Sequence, residues 1–404
     1  MTDPVPDAYR SSPEAYRTGP VVNPGPSPRS FMPPPAPVIV PTRRGAGAFA
    51  PIGIAVAVLV GVLVIAYFAV ALGIPTLLIG SLLALAPLAI VLLAVRWIDR
   101  WEPEPRWALW FAFLWGAAVS VAIALLVDTG VQLAMAFALN TGPDEAMQAV
   151  VQAPIVEEVA KGLGVLLLFT FSRSHFDGPV DGLVYAATVA AGFAFTENIL
   201  YFGSALIEGG SAALGATFVV RGLFSPFAHV LFTACTGLAI GLGARRTRGP
   251  GILVWFLGGL ACAIALHALW NGSLTFATDA VALYLLVQVP IFIAAIVITV
   301  LLRRQERSIT RARLLEYAAA GWFNPDEVEG LASPAGRSAA LAWGRSQVPP
   351  RTEQVKRFIA DATRLAFTRQ AIVTGRADAR RIADERELLD LVAADRRAIA
   401  GPGA

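Results

Sequence analysis

The sequence is poor in charge, in cysteine and in lysine. Charged residues make up only 15% of the 404 residues, against roughly 25% in an average soluble domain. A soluble globule of this composition would expose large apolar patches to water, so we exclude a soluble enzyme. The two cysteines lie inside long apolar runs, which excludes a disulfide framework. A net charge of only +3 gives no reason to expect a nucleic-acid partner.

Apolar residues are abundant instead, at 56% of the chain with a mean hydropathy of +0.63. Between residues 49 and 302 they form runs long enough to cross a lipid bilayer, which takes roughly 20 residues each. We predict an all-α, polytopic membrane helix bundle of about eight transmembrane helices. The predicted spans are 50–72, 76–95, 108–128, 147–171, 180–203, 216–243, 251–277 and 281–302.

The distribution of arginine predicts the orientation of these spans. Arginines flank alternate connections, whereas the opposite connections (73–75, 140–146, 204–215 and 278–280) contain neither lysine nor arginine. Positive charge in short loops is retained on the cytoplasmic side. Eight spans with both termini in the cytoplasm satisfy this rule, so we predict a multi-pass protein of the cell membrane with that topology.

Polar segments flank the predicted spans on both sides. Residues 1–48 hold twelve of the 28 prolines, which predicts a disordered cytoplasmic tail. Residues 303–404 carry 18 basic and 13 acidic residues, and Thr352–Thr374 and Ala379–Ala400 have helix-like spacing of their apolar residues. We predict a helical, mildly basic cytoplasmic tail. A small helical domain and a platform on anionic lipid are both open for it.

Several ionisable and amide side chains lie inside the predicted spans, where each is costly and therefore a candidate functional residue. They are Glu157, Glu158 and Lys161 in the fourth span, Glu197 and Asn198 in the fifth, Arg221 and His229 in the sixth, and His267 and Asn271 in the seventh. A rise of about 1.5 Å per residue puts the glutamates and histidines roughly 9–18 Å below the outer surface. We therefore predict that four helices bring them together in the outer half of the bilayer.

Carboxylates and imidazoles that converge in this way suit a divalent metal such as Zn²⁺, with one glutamate left as a base. Lys161 lies four residues after Glu157 and three after Glu158, so it can neutralise one of them while the other faces the site. Asn198 and Asn271 could donate hydrogen bonds to a developing oxyanion.

Other interpretations use the same residues. A single membrane histidine is commonly a hydrogen bond between helices, and a Glu–Lys pair within one helix is commonly an ion pair that only stabilises the helix. A proton-coupled transporter would use carboxylates and histidines as a relay. Against a transporter, the two halves of the sequence show no repeated pair of broken helices.

The order of these residues resembles the PrsW family of intramembrane proteases, which is distantly akin to CAAX prenyl proteases and bacteriocin-processing enzymes. The resemblance covers roughly residues 90–275 and rests on six motifs. They are the stretch 99–105, Glu157-Glu158-x-x-Lys161, the stretch 176–182, Phe193-x-x-x-Glu197-Asn198, His229, and His267-x-x-x-Asn271.

The resemblance implies a bacterial endopeptidase that cleaves a membrane-anchored protein near the outer side of the membrane, an anti-sigma factor in the family's best-known role. It implies Glu157 or Glu158 as general base, Lys161 as a charge partner to one of these two glutamates, and Asn198 and Asn271 as hydrogen-bond donors. Glu197, His229 and His267 would be the metal ligands, with zinc as the metal. Glu197 could instead be a proton shuttle or a structural acceptor, and without a metal the histidines would position the scissile carbonyl. The alternative is a non-catalytic membrane scaffold of the same fold. We attribute Arg221 to snorkelling towards the interface, with recognition of an acidic substrate stem as the alternative. We attribute the acidic stretch Asp99–Arg106 to fixing a turn.

Overall fold

In the computed structural model, the protein is described over residues 49–139, 142, 144–173, 176, 178–247, 249–376 and 379–400. These residues form helices and connecting turns, and none of them lies in a β-strand. The chain divides into a membrane unit, Ala46–Arg303, and a C-terminal unit that contains Arg304–Ala404. The predicted proline-rich tail, residues 1–48, lies outside the described residues.

The membrane unit is built from long helices interrupted by single π-helical turns. In chain order the helices are α1 Phe49–Leu72, α2 Ile74–Ile98, α3 Arg106–Leu114, α4 Val121–Leu139, α5 Glu145–Met147, α6 Ala153–Phe171, α7 Pro179–Thr217, α8 Ala228–Arg246, α9 Ile252–Phe276, α10 Ala280–Leu283 and α11 Val289–Ala319. The π-helical turns are Trp115–Ser120, Gln148–Gln152, Phe218–Phe224 and Tyr284–Gln288. Such turns are frequent at functional sites.

Six helical stretches of the described chain are long and apolar enough to cross a bilayer, judged by length and composition. They are Ala50–Leu72, Ile74–Ile98, Arg106–Ala138, Pro179–Arg246, Gly249–Phe276 and Val281–Ala319. Pro179–Arg246 covers the fifth and sixth predicted spans together. Helix α6, with its three charged residues, occupies the fourth predicted span but is not one of the six. The prediction of a polytopic helical membrane bundle is confirmed, whereas the orientation of the termini stays a prediction.

Some predicted boundaries were wrong. The connection 204–215 is helical, because α7 continues to Thr217 and is interrupted at Gly210, whose φ of 66° is a left-handed value that glycine adopts easily. The third predicted span, which was ended at Asp128, continues as helix to Leu139. The last span was ended at 302, yet α11 continues to Ala319, since helical hydrogen bonding does not stop where the sequence turns polar.

Helix α7 lies in the core of the membrane unit and carries one edge of the site. It begins at Pro179, and the Asp181 side chain accepts a hydrogen bond of 2.8 Å from the Gly178 backbone N–H. Its buried face packs on α2, α3 and α8. A Cβ atom added at Gly182 would lie 2.0 Å from the Gly237 carbonyl oxygen of α8. Backbones that approach this closely are typical of membrane helices packed through small residues.

The C-terminal unit is a separate helical body. It contains the end of α11, followed by α12 Pro325–Leu331, α13 Pro334–Ser346, α14 Thr352–Ala371 and α15 Ala379–Ala400. Helices α14 and α15 occupy the two segments for which the apolar spacing indicated helices. Leu314, Val328, Leu365 and Val392 lie fully buried in its core, so this unit has a hydrophobic core of its own.

Candidate active site

Lys161 and its two glutamate neighbours form the buried centre of the site. The Lys161 ammonium lies 2.6 Å from Glu158 Oε1 and 3.3 Å from Glu157 Oε2, so it contacts both glutamates rather than one. Glu158 and Lys161 are 0% exposed, and the ammonium also lies 4.1 Å from the centre of the Phe193 ring. A charge this deeply buried requires such partners, because its desolvation alone is costly.

Each histidine is held by one carboxylate and turns its other ring nitrogen towards Glu157. His267 Nδ1 lies 3.1 Å from Glu158 Oε1, and His229 Nε2 lies 2.7 Å from Glu197 Oε2. The remaining nitrogens, His229 Nδ1 and His267 Nε2, lie 3.9 Å and 4.0 Å from Glu157 Oε2. A carboxylate behind each imidazole is the arrangement that orients histidine ligands in metal sites.

Glu157, His229 and His267 together offer one possible ligand set for a metal ion. One ligand atom from each lies within 4.8 Å of the others. Two imidazoles and a carboxylate are a common zinc donor set, and bonds of 2.0–2.2 Å would put tetrahedral ligand atoms about 3.4 Å apart. The three residues therefore fit the metal if their ligand atoms move slightly closer together. This movement would also have to break the 3.1 Å contact between Lys161 Nζ and His229 Nδ1.

The imidazoles lie among aromatic rings on their other side. Phe232 stacks on His267 with ring centres 4.7 Å apart and planes 19° apart, while the two imidazoles are perpendicular at 5.3 Å. His267 is 3% exposed. These rings restrict both imidazoles and keep water away from them. We refer to Glu157, Glu158, Lys161, Glu197, His229 and His267 as the carboxylate–imidazole cluster.

Arg221 belongs to this network, and its interpretation as a snorkelling side chain was wrong. Its Nη2 lies 2.6 Å from Glu197 Oε2, and its Nε donates a hydrogen bond of 2.9 Å to Asn198 Oδ1. The guanidinium also lies over the Tyr201 ring at 3.9 Å. A cation inside a span requires a named partner, and the neighbouring helix supplied Glu197, so the sequence did carry this signal.

The two predicted asparagines make contacts away from Glu157. Asn198 accepts from Arg221 as described, and Asn271 Nδ2 donates a hydrogen bond of 2.7 Å to the Ala149 carbonyl oxygen, which ties α9 to the turn before α6. Their predicted role as oxyanion donors stays a prediction. The sequence reasoning missed Thr233, whose hydroxyl donates a hydrogen bond of 2.9 Å to Glu158 Oε2. Its position four residues after His229, on the same helix face, was the available signal.

The acidic loop between α2 and α3 makes its own buried contacts. The Tyr185 hydroxyl donates to Glu104 Oε2, and the Glu104 backbone N–H donates a hydrogen bond of 2.9 Å to Asp99 Oδ1. Burial raises the pKa of Asp99 to about 7 and raises the pKa of Glu104 well above its usual value. These contacts support the prediction that the loop fixes a turn.

The fold and this cluster define a class, namely a polytopic α-helical membrane protein with a buried site of glutamates and histidines. Comparison with known proteins agrees with that class. Residues 104–295 match the family model of the PrsW family intramembrane metalloprotease. The similarity of residues 104–295 to this family model agrees with the motif resemblance.

Three relatives, each named Protease PrsW, show the extent of the similarity. The protein of Clostridioides difficile (strain 630) is 36% identical over 160 residues, which is 39% of this chain and 63% of the relative. The protein of Geobacillus kaustophilus (strain HTA426) is 32% identical over 157 residues, with the same coverage. The protein of Bacillus subtilis (strain 168) is 27% identical over 154 residues, or 38% of this chain and 64% of the relative. No solved structure matches the chain.

Proposed function

We propose that the protein is a metal-dependent intramembrane endopeptidase that hydrolyses a peptide bond of a membrane-anchored protein near the outer side of the membrane. The observation that carries this proposal is the pair of imidazoles, each held by its own carboxylate, that face Glu157 from two helices. A scaffold has no need for this arrangement, in which one carboxylate lies between two imidazole nitrogens at 3.9 Å and 4.0 Å. Similarity to relatives named as proteases supports the same reaction.

The proposed metal ligands are Glu157, His229 and His267. Glu157 takes the place that the sequence analysis gave to Glu197, because Glu197 contacts the His229 nitrogen on the side away from Glu157. Zinc bound by these three residues would polarise the scissile carbonyl and lower the pKa of an attacking water. Glu158 and Glu197 would fix the orientation of the two imidazoles.

Glu157 is also the proposed proton acceptor. Glu158 is engaged by Lys161, His267 and Thr233, and Glu197 by His229 and Arg221, whereas Glu157 makes longer contacts through Oε2 alone. A carboxylate has two acceptor oxygens, so one can hold the metal while the other takes the proton from water. Water adds to the carbonyl carbon, the C–N bond breaks, and Glu157 returns the proton to the leaving amine.

The proposed substrate is a single-span protein, an anti-sigma factor being the one that the family resemblance implies. In the proposed topology both termini are cytoplasmic, so the cluster lies in the outer half of the bilayer and the cut falls near the outer surface.

Metal content is the first test of this function. The purified full-length protein should bind about one zinc per chain, and Glu157→Ala, His229→Ala and His267→Ala should each lose it. Glu197→Gln should retain zinc with roughly 10- to 100-fold weaker affinity, as expected for a residue that orients a ligand. Glu208→Gln, an exposed glutamate on the same helix, is the matched control. Equal zinc in all variants would refute the ligand set, and folded protein that cuts no single-span reporter would favour the scaffold.

A further inference from the structure

A cavity of about 260 Å³ lies beside the carboxylate–imidazole cluster, and none of the residues that line it belongs to that cluster. Its walls come from α2, from the break before α8 and the start of α8, from α9, and from the π-helical turn Tyr284–Gln288 with the start of α11. They include Phe227, Leu231, Trp270, Tyr284, Val289 and Phe292. The volume exceeds the ~150 Å³ of an apolar cavity that accepts benzene, so one large apolar side chain would fit.

One aromatic ring separates this cavity from the imidazoles. Ala228, which lines the cavity, directly precedes His229, and Trp270, which also lines it, lies against Phe232 at 6.0 Å between ring centres. Phe232 in turn stacks on His267. An extended peptide advances about 3.3 Å per residue, so a chain cut at the cluster could place a nearby side chain in the cavity.

The cavity wall also carries a buried hydrogen-bond acceptor that no described residue satisfies. Gln288 is 5% exposed, and its Oε1 has no hydrogen-bond partner among the residues that the structure describes. Its Nε2 donates to Ser273 Oγ, and the Ser273 hydroxyl donates onward to the Trp270 carbonyl oxygen at 2.7 Å. Because the serine proton is already committed, Ser273 can only accept from the amide nitrogen, which leaves Oε1 as the free end. Leaving a buried acceptor unpaired is costly, so this atom requires an explanation.

A peptide segment being cut inside a membrane supplies the missing donor. Hydrolysis requires the substrate helix to unwind locally, and each unwound backbone N–H then loses its partner where no water replaces it. Gln288 Oε1 is an acceptor of the kind that such a group requires. The backbone of this protein is itself irregular there, at Ser225–Phe227, as is tolerated where membrane proteins line a cavity.

We propose that this cavity is the specificity subsite of the protease, which receives a large apolar side chain near the scissile bond while Gln288 Oε1 accepts a backbone N–H of the same unwound segment. The proposal rests on the proposed function and adds the substrate chemistry to it. The preferred substrates would carry leucine, isoleucine, phenylalanine or methionine at that position.

Cleavage kinetics test the subsite with a matched pair of valine variants. The full-length protein would be reconstituted with single-span reporters that differ only at residues flanking the cut, with alanine, leucine or phenylalanine there. Val289→Phe fills the cavity and should raise KM about tenfold for the leucine and phenylalanine reporters relative to the alanine reporter. Val297→Phe, at an exposed valine on the same helix, should leave all three unchanged. Hydrolysis with an unchanged size preference in Val289→Phe would overturn the subsite and leave the proposed function standing.

Gln288 is tested by removing and then restoring its acceptor. Gln288→Leu should raise KM roughly 3- to 10-fold with little change in kcat, as expected for one lost hydrogen bond, and Gln288→Glu should recover part of the loss. Equal KM in the wild type and Gln288→Leu would show a structural amide and overturn its assigned role.

Photo-crosslinking gives an answer that does not depend on hydrolysis. In a Glu157→Gln background, p-benzoylphenylalanine would replace Leu223 at the cavity or Leu301 on α11, which are 55% and 54% exposed. The probe is a synthetic single-span peptide of about 20 leucine and alanine residues in liposomes. Position 223 should capture severalfold more peptide than position 301, and Val289→Phe should abolish the difference. Equal capture would overturn the subsite, whereas selective capture without hydrolysis by the wild type would refute the protease and keep the binding site.

Discussion

The most exposed ion pairs of the C-terminal unit and the fully buried pair at Lys161 in the membrane unit differ in what they contribute. In the C-terminal unit, Arg311 pairs with Glu329 and Lys356 with Glu353, and all four side chains are more than half exposed. In the membrane unit, Lys161 and Glu158 pair at 2.6 Å with no exposure at all. Exposed pairs contribute little because water already solvates each charge. The stability of a buried charge depends on every partner. The buried cluster in the membrane unit is therefore a candidate functional site, whereas the exposed pairs are ordinary surface contacts.

The largest expected effect is on cleavage and comes from Glu157, the glutamate of the cluster with the longest contacts to its neighbours. Glu157→Gln keeps the shape of the side chain but removes its charge, so cleavage of a reconstituted single-span reporter should fall about 10²- to 10⁴-fold. Glu208→Gln, exposed on α7, should retain full activity. Wild-type rates in Glu157→Gln would remove this residue from the reaction.

The next largest effect is on stability, and it tests directly whether the buried ion pairs of the membrane unit matter more than the exposed pairs of the C-terminal unit. Lys161→Met leaves two buried glutamates without their cation and should cost about 3–5 kcal/mol of unfolding free energy, measured by denaturation in detergent. Adding Glu158→Gln should recover part of that loss, because it removes one of the uncompensated charges. A single variant as stable as the wild type would contradict the view that the buried charges depend on one another.

Arg221 tests how far the buried network reaches. Arg221→Gln removes the cation beside Glu197, so the hold on His229 should weaken, and kcat should fall roughly 10-fold with a smaller change in KM. Zinc affinity should fall in the same variant. An unchanged zinc content with a raised KM would instead place Arg221 in contact with substrate.

A smaller effect is the pH dependence of stability that arises from Asp99, in the acidic loop between α2 and α3. The pKa of Asp99 is raised by burial to about 7, so the folded state holds its proton more tightly than the unfolded chain does. Its contribution to stability is therefore present below the ordinary aspartate pKa near 4 and is lost as pH rises through 7. Thermal unfolding midpoints should fall between pH 5 and pH 8, and Asp99→Asn should flatten that decline. A decline of the same steepness in Asp99→Asn would assign it to other groups.

The smallest effect is expected where the charges are exposed. Lys356→Ala breaks the pair with Glu353 and should leave the unfolding midpoint of the C-terminal unit unchanged within measurement error. Any clear loss of stability there would weaken the contrast between the two units.

The sequence was sufficient for the fold class because bilayer thickness constrains every span. Apolar runs near twenty residues specify transmembrane helices almost regardless of what surrounds them, and the costly polar residues within them identified Glu157, Glu158, His229 and His267. Boundaries were less predictable. The helical connection after residue 203 depends on a single glycine that bends α7, and no periodicity signals such a bend.

The partners within the site were beyond the sequence for a different reason. Which carboxylate stands behind which imidazole depends on helix rotation and on the spacing between helices, and neither is encoded in a local pattern. The assignment of Glu197 as a metal ligand therefore differs from the arrangement in which Glu197 supports His229. Gln288 had no local sequence signal either, because its role depends on the cavity that it lines, which only the packing of the helices creates.

The close glycine contacts of α7 have a consequence for how this protein can change. At Gly182, and at Gly116, where an added Cβ would lie 1.8 Å from the Val189 carbonyl oxygen, backbone meets backbone and no side chain is available to repack. Helices α7 and α8, which carry Glu197 and His229, therefore cannot drift gradually as residues are exchanged. The cavity beside them is lined by side chains that can vary. Preference for new substrates could thus evolve on one side of the site while the frame around it stays fixed.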